Sequence, residues 1–121
     1  MALPQNYPVS VRTIESYTPS VGDSPVAAVF RIPFRCKILK VASVLNGAIT
    51  MANASVAFAA NGGAAFATLS IPFTGSAVGQ VNSATPSSLT TLNEDDYVIA
   101  TPSLANGANI PAVFQLVVQL N

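Results

Sequence analysis

Glu94-Asp95-Asp96 is the densest set of proton-handling groups in the chain, and with Glu15 and Asp23 it makes up all of the acidic residues. Two carboxylates flanking a bond are what a glycosidase needs, and carboxylate oxygens also suit a hard cation such as Ca²⁺. Consecutive residues in a turn do not oppose one another across a substrate, and no EF-hand spacing surrounds this triplet. The chain has no histidine, so the common nucleophile-base triads have no base. The one cysteine, Cys36, lies between Arg35 and Lys37; it reads as a small buried hydrophobe, with no partner for an internal disulfide. Gly75-Ser76-Ala77-Val78-Gly79 lacks the Gly-Lys-Ser/Thr ending of a phosphate loop. The expectation is a protein that is not an enzyme, with no catalytic residue, no cofactor-binding residue and no metal ligand. The acidic triplet then reads as a solvated turn ahead of the strand "YVIAT".

The positive charges are more suggestive. Arg31, Arg35, Lys37 and Lys40 place four of the five cations within ten residues. As a ladder on one strand face they could meet carboxylates of a partner, Arg bidentately; the alternative is a solubilising edge strand. Nucleic acid is not an expected partner, because the formal net charge is zero and the ladder has no interleaved aromatic on which bases could stack. Trp is absent, and Tyr7, Tyr17 and Tyr97 are scattered, which is a poor platform for sugars. Charged residues are 8% of the chain, against about 25% in average globular domains. A chain of 12.4 kDa exposes roughly 6,000 Å² when folded alone, so its charges are spread thinly. That deficit points to a homo-oligomer docked on something larger.

The elements that must position these groups are short. Nine prolines and seven glycines punctuate segments rich in Val, Phe, Ile and Thr, the spacing of an all-β sandwich or barrel. From Val26 to Ile38 the even positions Val26, Ala28, Phe30, Ile32, Phe34, Cys36 and Ile38 are apolar, a period of two. Pro33 cannot donate to a ladder and marks an edge, a bulge or a break between two strands. Lys40 falls on the apolar parity, which predicts a strand end or a bulge near Leu39.

In "MANASVAFAANGGAAFATLSI", Met51 to Ile71, alanine alone would favour helix, but Asn61-Gly62-Gly63 offers a two-residue hairpin turn. An Asn61-Gly62 loop sets Phe58 opposite Ala65; a Gly62-Gly63 loop sets Phe58 opposite Ala67 and Val56 opposite Leu69. Either keeps one face apolar. The opposite face then collects Asn53, Ser55, Ala57, Ala59, Ala64, Phe66, Thr68 and Ser70. These small uncharged groups around one ring form either a surface for close protein contact or an ordinary solvent face. "PAVFQLVVQL" carries apolar residues on both sides and reads as a central strand with a partly covered outer face. Candidate contacts between copies are Phe66, Thr68, Val113 and Val117.

Counting Val9 to Tyr17, Val26 to Ile32, Phe34 to Leu45, Asn53 to Ala60, Ala64 to Ile71, a piece near Val78 to Val81, Asp96 to Thr101 and Ile110 to Leu120 gives about eight strands. The fold class is all-β: an antiparallel β-sandwich, an eight-stranded jelly roll, with an Ig-like sandwich as the alternative. Residues 1–121 are read as one domain, with 1–8 an extended N-terminal arm. The start "MALPQNYPVS" lacks the basic and apolar regions of a signal peptide, so the Asn53-Ala54-Ser55 sequon is expected to stay unmodified. Mean hydropathy is +0.50, yet no run of 18 apolar residues is present, and a membrane is not an expected partner.

The segments "NGAITMANASVAFAANGG", "GSAVGQVNSATP" and "LNEDDYV", with the final apolar strand, resemble the small auxiliary capsid proteins of tailed bacteriophages known as decoration or cement proteins. The resemblance covers about Asn46 to Asn121. It rests on an Ile-Thr-x-Ala-Asn lead into a strand, an Asn-Gly hairpin, a Gly-Ser-Ala-x-Gly loop and an Ala-Thr-Pro turn. Similar sequences carry Thr and Val along the hairpin where this one has Ala. The resemblance implies a structural virion protein on the outer capsid surface, present in the host cytoplasm during assembly. Its partners would be the major capsid protein, whose neighbouring subunits it bridges to stabilise the head, and itself, as a homodimer or homotrimer. The cations Arg31, Arg35, Lys37 and Lys40 are the candidate capsid contacts. A receptor- or glycan-binding module of a viral fibre or surface appendage is the alternative reading.

Overall fold

The computed structural model describes residues 11–22, 25–49, 53–88, 90–103 and 109–120. They form β1 (Val11–Thr18), β2 (Ala28–Arg31), β3 (Cys36–Leu45), β4 (Ala54–Ala60), β5 (Ala65–Ile71), β6 (Val81–Ala84), β7 (Thr90–Leu92), β8 (Tyr97–Ser103) and β9 (Ala112–Leu120), with no helix among the described residues. One sheet runs β1-β9-β3-β6, with β7 also on β3; the other runs β2-β8-β4-β5. All pairings are antiparallel. The pairs nest: β4 with β5, β3 with β6, β2 with β8 and β1 with β9. This is a long hairpin rolled up so that β9 meets β3 and β8 meets β4, which is a jelly-roll sandwich. An Ig-type order would have put β1 beside β2.

Nine strands stand where eight were expected. The additional one, β7, continues along the β3 edge beyond β6, opposite Cys36 to Ile38, and the piece expected near Val78 to Val81 is β6, slightly later. The expected arm, residues 1–8, lies outside the described residues. Phe30, Phe58 and Phe114 join the two layers, with the Phe58 ring 6.4 Å from Phe30 and 5.9 Å from Phe114, edge-on to the latter. Such pairs add to the burial that holds the layers together.

Two departures from simple alternation shape the surface. In the hairpin, Asn61 and Gly62 have φ of 53° and 75° and the Gly63 N–H donates to the Ala60 carbonyl at 2.9 Å, so Asn61-Gly62 is the turn. Beyond it, however, Phe58 lies opposite Ala67 and Val56 opposite Leu69. A β-bulge between Phe58 and Ala59 reconciles the two. It leaves Phe66 and Ala67 both facing inward, and Phe66 is 6% exposed. The expected outward ring, and with it an exposed copy contact at Phe66, is therefore corrected: the extra bulge residue reverses the parity.

The second departure is between Arg31 and Cys36. Here the chain leaves β2 in one sheet and enters β3 in the other, with the Ile32 N–H donating to the Asp96 carbonyl at 2.9 Å and the Asp95 N–H to the Ile32 carbonyl at 2.8 Å. Pro33 marks this break. The single cationic ladder is corrected accordingly, since Arg31 belongs to one sheet and Lys37 and Lys40 to the other. A register shift between Ile38 and Lys40 realises the bulge expected at Leu39 and returns Lys40 to the same outward face as Lys37.

The sandwich sides are stitched. Ser16 Oγ donates to the Val29 carbonyl at 2.8 Å, and buried Thr18 Oγ1 donates to the Val26 carbonyl, joining β1 to the β2 side. Opposite, Ser87 donates through both N–H and Oγ to the Phe66 carbonyl at 2.8 and 3.0 Å. These contacts tie the edge strands of one sheet to those of the other.

Candidate docking faces

Directly paired residues share a face, so the registers define each outer surface. On the β2-β8-β4-β5 sheet, Ile99 lies between Val29 and Ala59, Ala57 between Thr101 and Thr68, and Ser55 between Ser103 and Ser70. None of these is charged, and none is larger than isoleucine. The small side chains follow from a period-two segment whose inward positions, Ala54, Val56 and Phe58, are fully buried. Arg31 occupies a corner of this face, opposite Tyr97. Thr68 is exposed here, whereas Val113 and Val117 lie on the other sheet.

The outer face of the β1-β9-β3-β6 sheet differs. Its first row, Tyr17, Val113, Val44 and Val81, is wholly apolar or aromatic, and its outer members Tyr17 and Val81 are 60% and 61% exposed. Then come Glu15, Gln115, Ala42 and Ser83, followed by Thr13, Val117 and Lys40, and finally Val11, Gln119, Lys37 and Thr91. Gln115 Nε2 donates to Glu15 Oε2 at 2.7 Å. The structure thus brings Val113 and Val117 together with Lys37 and Lys40. Sequence reasoning missed the apolar row, which draws on four strands far apart in the chain; only the topology aligns them.

The remaining predicted residues gather at the β2-to-β3 crossing. Arg31 forms an ion pair with Asp95 at 2.5 Å, and Arg35 donates to Asn93 Oδ1 at 3.0 Å. Asp96 Oδ2 accepts from the Asn93 N–H at 2.8 Å, and Asp95 has φ of 73°. The acidic triplet is the expected turn ahead of β8, fastened to the Ile32 backbone. The hydrogen bond and charge of Asp95 hold the Arg31 guanidinium above its ordinary pKa; both partners are solvated, so the pair contributes little to stability. Cys36 is fully buried, and burial pushes its thiol pKa up.

A shallow crevice lined by Ile38, Leu39, Thr85, Pro86, Ser87 and Ser88 follows the β3 edge between β6 and β7. It holds hydroxyls and apolar groups but no ionisable side chain. Among the described residues no cluster of three or more His, Cys, Asp or Glu is placed to hold a metal, and no helix is long and apolar enough to cross a membrane. What the arrangement offers chemically is two broad faces, one neutral and flat, the other with an apolar row and a few charges.

No protein-family model matches the chain, and no curated protein matches it in sequence. Solved structures do share its fold. A chain of the acidic stable capsid structure of Helicobacter pylori bacteriophage KHP30 superposes with TM-score 0.59 at 17% identity, over 91% of this chain and 87% of that one. A chain of the cyanophage Pam1 capsid asymmetric unit gives 0.57 at 14%, over 100% and 92%. The CBM35 domain from Cellvibrio japonicus Abf62 gives 0.53 at 15%, over 93% and 99%. At these identities the likeness is one of fold, and the chain is a jelly-roll sandwich similar in architecture to phage capsid proteins and to a carbohydrate-binding module.

Proposed function

We propose that this chain is a structural virion protein, a decoration or cement protein that lies on the outer surface of the major capsid protein lattice and stabilises the head. The observation carrying this reading is the uncharged outer face of β4, β5 and β8, on which Ser55, Ala57, Ala59, Thr68, Ser70, Ile99, Thr101 and Ser103 surround no ion. Close contact through such a face strips no charged side chain of water, so little of the association energy is lost to desolvation. Arg31 at its corner adds a salt-sensitive contact. Many copies on one shell multiply modest individual affinities. The fold shared with chains of two phage capsids agrees with this role. On this reading the protein occupies the host cytoplasm during assembly and the virion thereafter.

The test is co-sedimentation of purified protein with shells that lack it. Ala57→Lys, at the centre of the neutral face, is expected to weaken shell binding at least tenfold, about 1.4 kcal/mol. Its melting temperature should stay within about 2 °C of the parent, as for other outward substitutions. Undiminished binding by this variant, or none by the parent, overturns the reading. The shared fold with the CBM35 domain supports a second reading, a receptor- or glycan-binding module. Tyr17 and Tyr97 lie on different sheets, so no paired aromatic platform backs it. Glycan-array binding without affinity for shells would favour it.

A further inference from the structure

We infer that the outer face of the β1-β9-β3-β6 sheet is a self-complementary interface that pairs two copies of this chain about a twofold axis running along β9. The inference does not rest on the capsid reading. Its basis is the placement of charge. Glu15 stands on β1, to one side of β9, while Lys40 and Lys37 stand on β3, to the other. Within one copy, two strand spacings of about 4.8 Å set Glu15 and Lys40 roughly 10 Å apart laterally, and no ion pair joins them. No hydrogen bond or ion pair within the described residues engages the side chain of Lys37 or Lys40, and Gln115 draws Glu15 toward β9.

A half-turn about an axis parallel to β9 lays β1 of each copy over β3 of the other. Tyr17 then covers Val44 of the second copy, and Val113 and Val117 each meet their own counterparts. Glu15 comes within one row of Lys40 of the second copy, twice by symmetry. An axis perpendicular to the strands would instead stack β1 on β1 and β3 on β3, bringing Glu15 toward Glu15 and lysine toward lysine. The charge pattern therefore selects one twofold arrangement over the other, with strand directions aligned as in face-to-face sheet packing. The three strands that overlap about this axis, β1, β9 and β3, at about 4.8 Å spacing and eight residues of about 3.3 Å each, cover roughly 380 Å² per copy. The total of about 760 Å² is below the roughly 1,000 Å² of stable specific interfaces, so the dimer should be weak, forming toward the upper end of the concentration range.

Sedimentation equilibrium of the full chain, from roughly 1 μM to 1 mM, is expected to show a monomer–dimer equilibrium. Glu15→Lys and Lys40→Glu are each expected to raise the dimer Kd about tenfold. The Glu15→Lys/Lys40→Glu double variant should return it to within about threefold of the parent, because the swap restores both pairs. Circular dichroism of each variant reports whether the fold is intact. A monomer at all concentrations, a trimer, single reversals without effect, or a double variant no better than the singles would each overturn the arrangement.

Discussion

Truncating Phe66 to alanine separates the observed hairpin from the one that strict alternation would build. An aromatic side chain buries about 150–250 Å², and removing all but the first carbon exposes or empties roughly 120 Å² of it, about 3 kcal/mol at about 25 cal/mol per Å². A residual cavity adds to this, though β5 is an edge strand and its neighbours can settle inward, which keeps the total near 3–4 kcal/mol. For a chain of this size each kcal/mol shifts the midpoint by about 4 °C, so Phe66→Ala should melt about 12–16 °C below the parent. Thermal unfolding followed by circular dichroism reads this directly. An outward ring would behave as a surface residue, with a change below about 0.5 kcal/mol and a midpoint moved by no more than about 2 °C. That small shift, accompanied by a fall in sedimentation mass, would refute the bulge and return Phe66 to a contact between copies.

Gly62 has φ of 75°, and a Cβ there would lie 3.3 Å from the Tyr97 hydroxyl; Gly62→Ala should cost about 1 kcal/mol, read as a lower urea midpoint with unchanged slope. Cys36 should be inert to a thiol reagent in the native protein and reactive once unfolded, because it is buried with a raised pKa. The same shift makes the folded state bind the thiol proton more tightly than the unfolded one. Stability is then complete below the unfolded thiol pKa of about 8.5 and falls as pH rises beyond it, and Cys36→Ala should remove that slope.

Period two made most of the fold legible. The alternation from Val26 to Ile38 and from Ala112 to Leu120 marked buried and outward positions, Pro33 marked the break between sheets, and the misplaced parity of Lys40 marked a bulge. What escaped was non-local. Thr90–Leu92 has no pattern of its own and becomes a strand by pairing with Cys36 to Ile38. The hairpin combines the turn of one candidate register with the strand pairing of the other, and only the bulge permits this. Parity ran on from Arg31 to Lys37 as if along one strand, although the chain changes sheets between them. The neutral face was legible at Ser55, Ala57, Ala59, Thr68 and Ser70, since they belong to one hairpin, but the row from Tyr17 to Val81 was not.

The rolled topology sorts the surface into regions with different uses. Contacts of Ser16, Thr18 and Ser87 tie the two sheets together along both sides of the sandwich, and the broad outer surfaces are those of its two faces. Of the ten charged residues, Arg31, Arg35, Glu94, Asp95 and Asp96 gather at the β2-to-β3 crossing and the turn fastened to it, where Arg31 and Asp95 neutralise each other. The face of β4, β5 and β8 is left without ions, and bringing a partner against it costs little desolvation. A neutral face gains contact cheaply but has few means of fixing register. On the opposite sheet Glu15, Lys37 and Lys40 flank a largely uncharged strip, and opposite charges on either side of β9 distinguish one orientation of a second copy from another. Area without charge and charge with direction are thus carried by separate sheets of one sandwich, which lets two kinds of contact form without competing for the same surface.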